Sequence, residues 1–432
     1  MRVLIREAKI VDPRSPFDGK VVDLLIENGK ISKITPSPAN SGSAASKASP
    51  TSKASPANQP QTEIIEIKGL HVSPGWVDIF AQFHDPGQEH KETIETGIEA
   101  AKRGGFTEVM TVPNTTPAIS TKSMVEYAKR PGVHPIGAVS KNLEGKELAE
   151  MYDMYASGAK AFSDGWKPIQ SGGLLLKALQ YLKTIEGTLI QVPEDQSISP
   201  RGQMHEGIVS TRMGLPGKPI LAEEVMVERD LKLLEYTGSS LHFTGVTSEK
   251  SIEAINNAKQ AGLKVTCSVS PYHLSFCDED LEGYNTNLKL NPPLRDRKSM
   301  MALRQAVKDG KVDIITSQHL PQDWDSKECE FEYAKPGAIG LECAYGALVE
   351  TTEITPQQTA TLLSINPRKI FHLESAEIKE GHPANLTLFL PEATYTFDKD
   401  MLKSKSRNCP YLGKTLKGQV MGTILHSQLN LV

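Results

Sequence analysis

Cysteine is scarce and scattered in this sequence: Cys267, Cys277, Cys329, Cys343 and Cys409 form no C-x-x-C pair and are odd in number. Neither a disulfide framework nor a zinc knuckle is expected, and the five are read as reduced thiols. Long apolar runs are missing too, since no window approaches about eighteen uncharged apolar residues. The first segment, "MRVLIREAKIVDPRSP", carries charge throughout in place of a hydrophobic signal core. Nor does one sign of charge dominate: 48 Lys and Arg stand against 52 Asp and Glu, and the basic residues are scattered. That distribution leaves no electrostatic footprint for nucleic acid or an anionic membrane. A cytoplasmic protein whose partners are small molecules or other proteins is expected.

What is present is a chain of 432 residues, 38% apolar and 23% charged, too long for one ordinary domain. Residues 1–35 alternate short apolar runs with turn chemistry, and Asn28-Gly29 is a hairpin signal between two strand-like stretches. Residues 36–62 are almost wholly Pro, Ser, Ala, Asn, Lys and Thr and repeat "SKASP", which predicts a flexible insert in a small β-unit that "EIIEIKG" resumes.

From Pro74 the texture changes to strand-like runs alternating with amphipathic helix-length segments: "ETIETGIEAAKRGG" then "FTEVMTV", "LLLKALQYLKTIEG" then "TLIQV", "SIEAINNAKQAG" then "LKVTCSVS". At least six such units over about 300 residues favour an α/β fold of the closed (β/α)8 type over an open sheet. The tail returns to strands in "ANLTLFL", "ATYTFD" and "QVMGTIL". The expected organisation is a barrel over 73–380 and an accessory β-sandwich built from both chain ends, 1–72 and 381–432.

Many motifs in order, among them "PGWVDI", "DPGQEHKETIETGIEAAKRGGFTEVMTVPNTTP", "KAFSDG", "STRMGLPGKPILAEE", "TNLKLNPPLR", "INPRKIF" and "GHPANLTLF", closely resemble the dihydroorotases. These are amidohydrolases of pyrimidine synthesis, and the resemblance is to the longer type found beside aspartate carbamoyltransferase. It implies a TIM-like amidohydrolase barrel and metal-assisted hydrolysis, or closure, of a cyclic amide. Zinc held by imidazoles and carboxylates at the C-terminal ends of barrel strands polarises the carbonyl and activates water, and an aspartate moves the proton.

Carried over position by position, that chemistry is missing its residues. The paired histidines of the first strand fall on Phe80 and Gln82, and the substrate-clamping arginine on His84. The double-aspartate motif reads "AFSDGWKP", so Asp164 is kept beside Gly165. The later histidine ligands fall on Val192 in "QVPED" and Gly245 in "HFTGVTS". In "SQHLPQ" the general base is Gln318 and a substrate-contacting histidine is Gln322. A ligand must offer a lone pair about 2 Å from the metal, which Phe, Val and Gly side chains cannot do. No catalytic residue, no metal ligand and no cofactor is therefore expected.

Some polar positions remain. The resemblance implies substrate contact at Asn114 and Asn291, although an Asn beside Pro also stabilises turns through side-chain to backbone bonds. In an extended strand Phe80, Gln82 and His84 would share one face. His84, Asp164 and His319, with Glu194 and Asp195 also near the expected rim, are the residual candidates for a rebuilt metal site. His242 and His273 are read as structural and His90 as solvated.

The leading expectation is a pseudoenzyme, because turn and packing residues fit the family pattern while chemical residues have been exchanged. Metal-free members of the family assemble with aspartate carbamoyltransferase, so the resemblance implies that partner, a homo-oligomer, and a scaffolding or regulatory role. The alternatives are an active cyclic-amide hydrolase with atypical ligands and a non-catalytic small-molecule sensor.

Overall fold

The apolar runs between the amphipathic segments become the strands of a closed barrel. The computed structural model describes residues 1–37 and 62–432, so the expected insert falls outside the described residues from 38 to 61. The barrel strands are Trp76–Ala81, Phe106–Thr111, Val133–Pro135, Ala161–Phe162, Thr188–Gln191, Ser240–Thr244, Lys264–Val269 and Ile314–Ile315. Neighbours pair in parallel, with the third and fourth joined by a bridge between Gly137 and Phe162. The ring closes between the last strand and the first. There the buried Asp78 carboxylate accepts from Ser317 N at 2.6 Å and Thr316 Oγ1 at 3.0 Å, and Gln82 N donates to the His319 carbonyl at 2.9 Å. Strands covered on both faces read as continuous apolar runs, which is why Trp76–Ala81 and Phe106–Thr111 are buried throughout.

Both chain ends contribute to a single eight-stranded sheet. Its order is Gln428–Leu431, Thr415–Leu425, Asn385–Thr396, His71–Pro74, Arg2–Ile10, Val21–Glu27 and Lys30–Pro36, with Glu63–Glu66 also paired to Arg2–Ile10. The Asn28-Gly29 turn makes the expected hairpin. The sheet encloses its own core of Val3, Ile5, Leu24, Ile26, Val72 and Leu388. The tail strands expected as "ANLTLFL" and "ATYTFD" are one strand, Asn385–Thr396, whose register slips between Leu390 and Thr394. Pro391 lies in that interval and has no N–H for the ladder, so pairing is lost without ending the strand.

Two contacts join sheet and barrel. Trp76, the first residue of its barrel strand, meets Phe389 of the sheet at 5.3 Å between ring centroids and Tyr345 at 4.7 Å. Below it, Glu108 accepts from Arg368 Nη1 at 2.6 Å, Asn385 Nδ2 at 2.8 Å and His134 Nε2 at 2.5 Å. Burial pushes this carboxyl up, but His134 and Arg368 outweigh it and hold Glu108 down at about 2.

Candidate functional site

In a barrel of this kind chemistry sits at the C-terminal ends of the strands, where the loops converge. The first strand brings Phe80 there, fully buried and edge-on to Trp166 with centroids 4.8 Å apart. Val192, one residue past Thr188–Gln191, belongs to the same apolar cluster, along with Met110, Ile190, Ile314 and Phe371. Two positions at which the resemblance implies imidazole ligands are thus hydrocarbon packed against hydrocarbon.

The strand stops at Ala81, so the alternation expected to bring Phe80, Gln82 and His84 onto one face does not reach His84, which has φ +56°. Gln82 Nε2 donates to the Asn114 carbonyl at 2.6 Å and lies 3.1 Å from His84 Nδ1. The other ring nitrogen of His84, Nε2, is 2.9 Å from the Pro321 carbonyl. Donation from Nε2–H to that carbonyl leaves Nδ1 as the acceptor facing the Gln82 amide, so both ring nitrogens are committed. Burial, reinforced by the Lys91 ammonium, lowers this histidine to about 4 and keeps it neutral at pH 7.

Asn114 and Asp164 brace neighbouring loops. Asn114 donates to the Asp164 carbonyl at 3.1 Å and accepts from Trp166 N at 3.1 Å, so its amide is spent at both ends. The Asp164 carboxylate accepts from Val139 N at 3.0 Å, Ser140 N at 2.9 Å and Ser140 Oγ at 2.5 Å. Burial raises its pKa, and the Ser140 bonds oppose that. Between them Gly165 has φ +63°, and a Cβ there would lie 1.6 Å from Asn114 Oδ1. A second aspartate therefore has no room in this loop unless Asn114 moves.

At Gly245, with φ +71°, a Cβ would lie 2.3 Å from Gln318 Nε2. Gln318 Nε2 is buried without a hydrogen-bond partner. His319 turns away from this point: its Nδ1 accepts from Gly340 N at 3.2 Å, and its Nε2 lies 3.5 Å from Glu92 Oε2, both side chains wholly buried. Glu92 in turn accepts from Ser404 and Thr96 hydroxyls, tying His319 to the C-terminal segment. Gln322 accepts from Lys91 Nζ at 3.0 Å and donates to the Pro336 carbonyl at 2.9 Å. The proposed set of His84, Asp164 and His319 is therefore not brought together, since each is fixed to different partners. Among the described residues no group of three or more His, Cys, Asp or Glu is arranged to hold a metal ion.

Polar groups do meet a little to one side. Asn291 accepts from Lys218 Nζ at 2.7 Å and donates to Glu194 Oε2 at 2.9 Å, and Lys218 pairs with Glu194 Oε1 at 2.6 Å. They line a cavity of about 400 Å³ with Gln203 and Lys289, built from the loops after the fifth, seventh and eighth barrel strands. Lys218 is placed by the short pairing of Met204–His205 with Gly217–Lys218. Asp195 faces outward and closes its own turn onto Ser197. Sequence reasoning missed Lys218, Lys289 and Trp166, whose partners are remote in the chain. His242 and His273 are buried with both ring nitrogens engaged, and His90 is exposed, 3.9 Å from Asp323.

A family model described as Dihydro-orotase-like matches residues 69–251. The Dihydroorotase of Syntrophus aciditrophicus (strain SB) is 37% identical over 439 residues, covering 99% of this chain and 99% of its own. That of Geobacter metallireducens is 37% identical over 436 residues, covering 98% of each. The chain belongs to the dihydroorotase family. Among solved structures, the L-hydantoinase (dihydropyrimidinase) of Arthrobacter aurescens superposes with a TM-score of 0.83 at 19% identity, covering 100% of this chain and 97% of that one. The D-hydantoinase of Thermus sp. gives 0.80 at 19%, covering 100% and 96%. At that identity these show the fold alone, an α/β barrel with an accessory β-unit.

Zinc, which the dihydroorotase resemblance implies, does not fit the donor set at this mouth. Phe80 and Val192 offer no lone pair and Gly245 no side chain, while the one free lone pair of His84 faces the Gln82 amide and the Asp164 carboxylate accepts from Val139 and Ser140.

Proposed function

We propose that this dihydroorotase-like protein of de novo pyrimidine biosynthesis is a pseudoenzyme, acting in a homo-oligomer as a scaffold or regulator of aspartate carbamoyltransferase. The observation that carries the first half is the seating of Phe80 and Val192 in one apolar cluster at the barrel mouth. Members of a hydrolytic site act as a unit, so losing several together removes nearly all of the rate. The second half rests on family analogy, since fold alone does not fix a partner.

Whole-length likeness to proteins named Dihydroorotase favours a competing reading, an active hydrolase with recruited ligands. The cavity of Glu194, Lys218 and Asn291 favours a third, a non-catalytic sensor of a small carboxylate or amide. Metal content by mass spectrometry on protein purified without chelators, with a dihydroorotate hydrolysis assay with and without zinc, separates the first two. Substoichiometric metal and no zinc-dependent turnover support the pseudoenzyme, whereas about one zinc per chain with turnover overturns it. Co-elution with aspartate carbamoyltransferase on sizing supports the scaffold role. Thermal stabilisation by carbamoyl-aspartate or dihydroorotate without co-elution would favour the sensor.

A further inference from the structure

We infer that the opposite, N-terminal end of the barrel carries a binding site for a phosphorylated small molecule, in the cleft against the accessory sheet lined by Lys129, Arg130 and Lys160. These three cations share one cavity of about 320 Å³, which lies where the strand Val133–Pro135 begins and is closed on its far side by Asn385 and His426 of the sheet region. The inference is independent of whether the mouth is catalytic.

Charge is the first argument. The whole chain has a net charge of −4, and the long cations at its other buried or half-buried polar clusters, such as Lys218, Lys259 and Arg368, lie beside carboxylates. Among the described residues no carboxylate lies within ion-pair distance of Lys129, Arg130 or Lys160. Arg130 spends Nη1 on the carbonyls of Tyr127 and Lys129, at 2.5 and 2.9 Å, and keeps its remaining donors. The buried carboxylate in the wall, Glu108, is already covered by Arg368, Asn385 and His134. That leaves Glu374, exposed at the rim, as the cavity's uncommitted acid against three cations. A ligand bearing two negative charges on one compact group answers this excess, and a single carboxylate does not.

Shape is the second. The segment Arg130–Gly132 and Leu425 also wall an adjoining hollow of about 230 Å³, faced by Ile98, Phe106 and Val109, with the amides of Gln428 and Asn430 at its edge. An uncharged organic body beside the phosphate fits that second compartment, its rings or methylenes on the apolar side and its polar groups on the amides. Guanidinium and ammonium groups together suit phosphate, the fork binding two oxygens and the lysines acting as point charges. The concavity is too small to admit a nucleic-acid backbone, whose recognition needs an extended basic surface.

The test uses the full-length protein and titration calorimetry at fixed ionic strength in sodium chloride, with pyrophosphate, AMP and UMP as phosphate probes and adenosine and uridine as bodies without phosphate. At least one nucleotide should bind saturably and more tightly than pyrophosphate, with the matching nucleoside at least 100-fold weaker. Lys129→Gln/Arg130→Gln/Lys160→Gln should weaken binding at least tenfold without changing the melting temperature of the free protein. Lys122→Gln/Lys141→Gln/Lys146→Gln removes equal charge from exposed positions elsewhere and should leave binding unchanged. The inference is overturned if no nucleotide binds saturably, if pyrophosphate alone binds, if the cleft variant binds normally, or if the control variant weakens binding as much.

Discussion

Gly245 and Gln318 occupy one space: a Cβ on the first would stand 2.3 Å from Nε2 of the second. The position at which the family resemblance implies a histidine ligand is therefore coupled sterically to the one at which it implies the general base, and a side chain at position 245 cannot be restored while the Gln318 amide stays where it is. Gly245→Ala should destabilise by about 2–3 kcal/mol, from left-handed strain of roughly 1–2 kcal/mol plus displacement of the amide. In a Gln318→Ala background the same change should cost about 1 kcal/mol less. A double-mutant cycle from urea unfolding measures the difference, and strict additivity would count against a shared space.

Phe80 should behave as a core residue. Truncating a wholly buried aromatic leaves a cavity, so Phe80→Ala should lose about 3–5 kcal/mol. Phe80→His is the sharper test, since one imidazole without convergent partners holds no metal. Its melting temperature should not rise on adding zinc. A zinc-dependent rise of several degrees would mean that Gln82, Asp164 or another donor can reorganise to meet the ion.

The anchor between barrel and sheet should be as sensitive as the core. Glu108→Ala would strand Arg368 without its carboxylate at 2.6 Å, and breaking one half of a buried pair typically costs about 3–5 kcal/mol. Glu108→Gln keeps an acceptor for Asn385 and Arg368 and should cost less. Equal losses in the two variants would place the stabilisation in packing and not in the ion pair.

The sequence made much of this legible, and what it missed has a common cause. Alternating texture gave the barrel, and turn chemistry gave the hairpin at Asn28-Gly29. Phe80, Val192 and Gly245 could be picked out because they stand inside otherwise intact motifs. His84 was misplaced because strand alternation was extended beyond Ala81, where the backbone turns to positive φ. Lys218 was invisible because its partners Glu194 and Asn291 lie 24 and 73 residues away, and no local pattern encodes such a meeting. The same holds for Asn114, whose side chain serves Asp164 and Trp166 fifty or more residues on.

Acid should destabilise this protein first through its buried histidines. Burial lowers His84 and His273 to about 4 and His242 to about 3, against an ordinary value of about 6.5. Lys91 adds to the effect at His84. Because the folded values are depressed, the unfolded chain binds more protons as pH falls from about 6.5 toward 4, and stability is lost over that window. Asp230 works the other way: burial raises it to about 6, so the folded state takes up a proton there that the unfolded state does not. Three histidines set against one aspartate predict a net loss on the order of 4 kcal/mol between pH 7 and pH 5. His242→Gln, whose amide can still bond Thr266 and Ser268, should remove about a third of the histidine share. Urea unfolding at the two pH values measures it, and stability unchanged from pH 7 to pH 5 would mean that these imidazoles are hydrated in the folded protein.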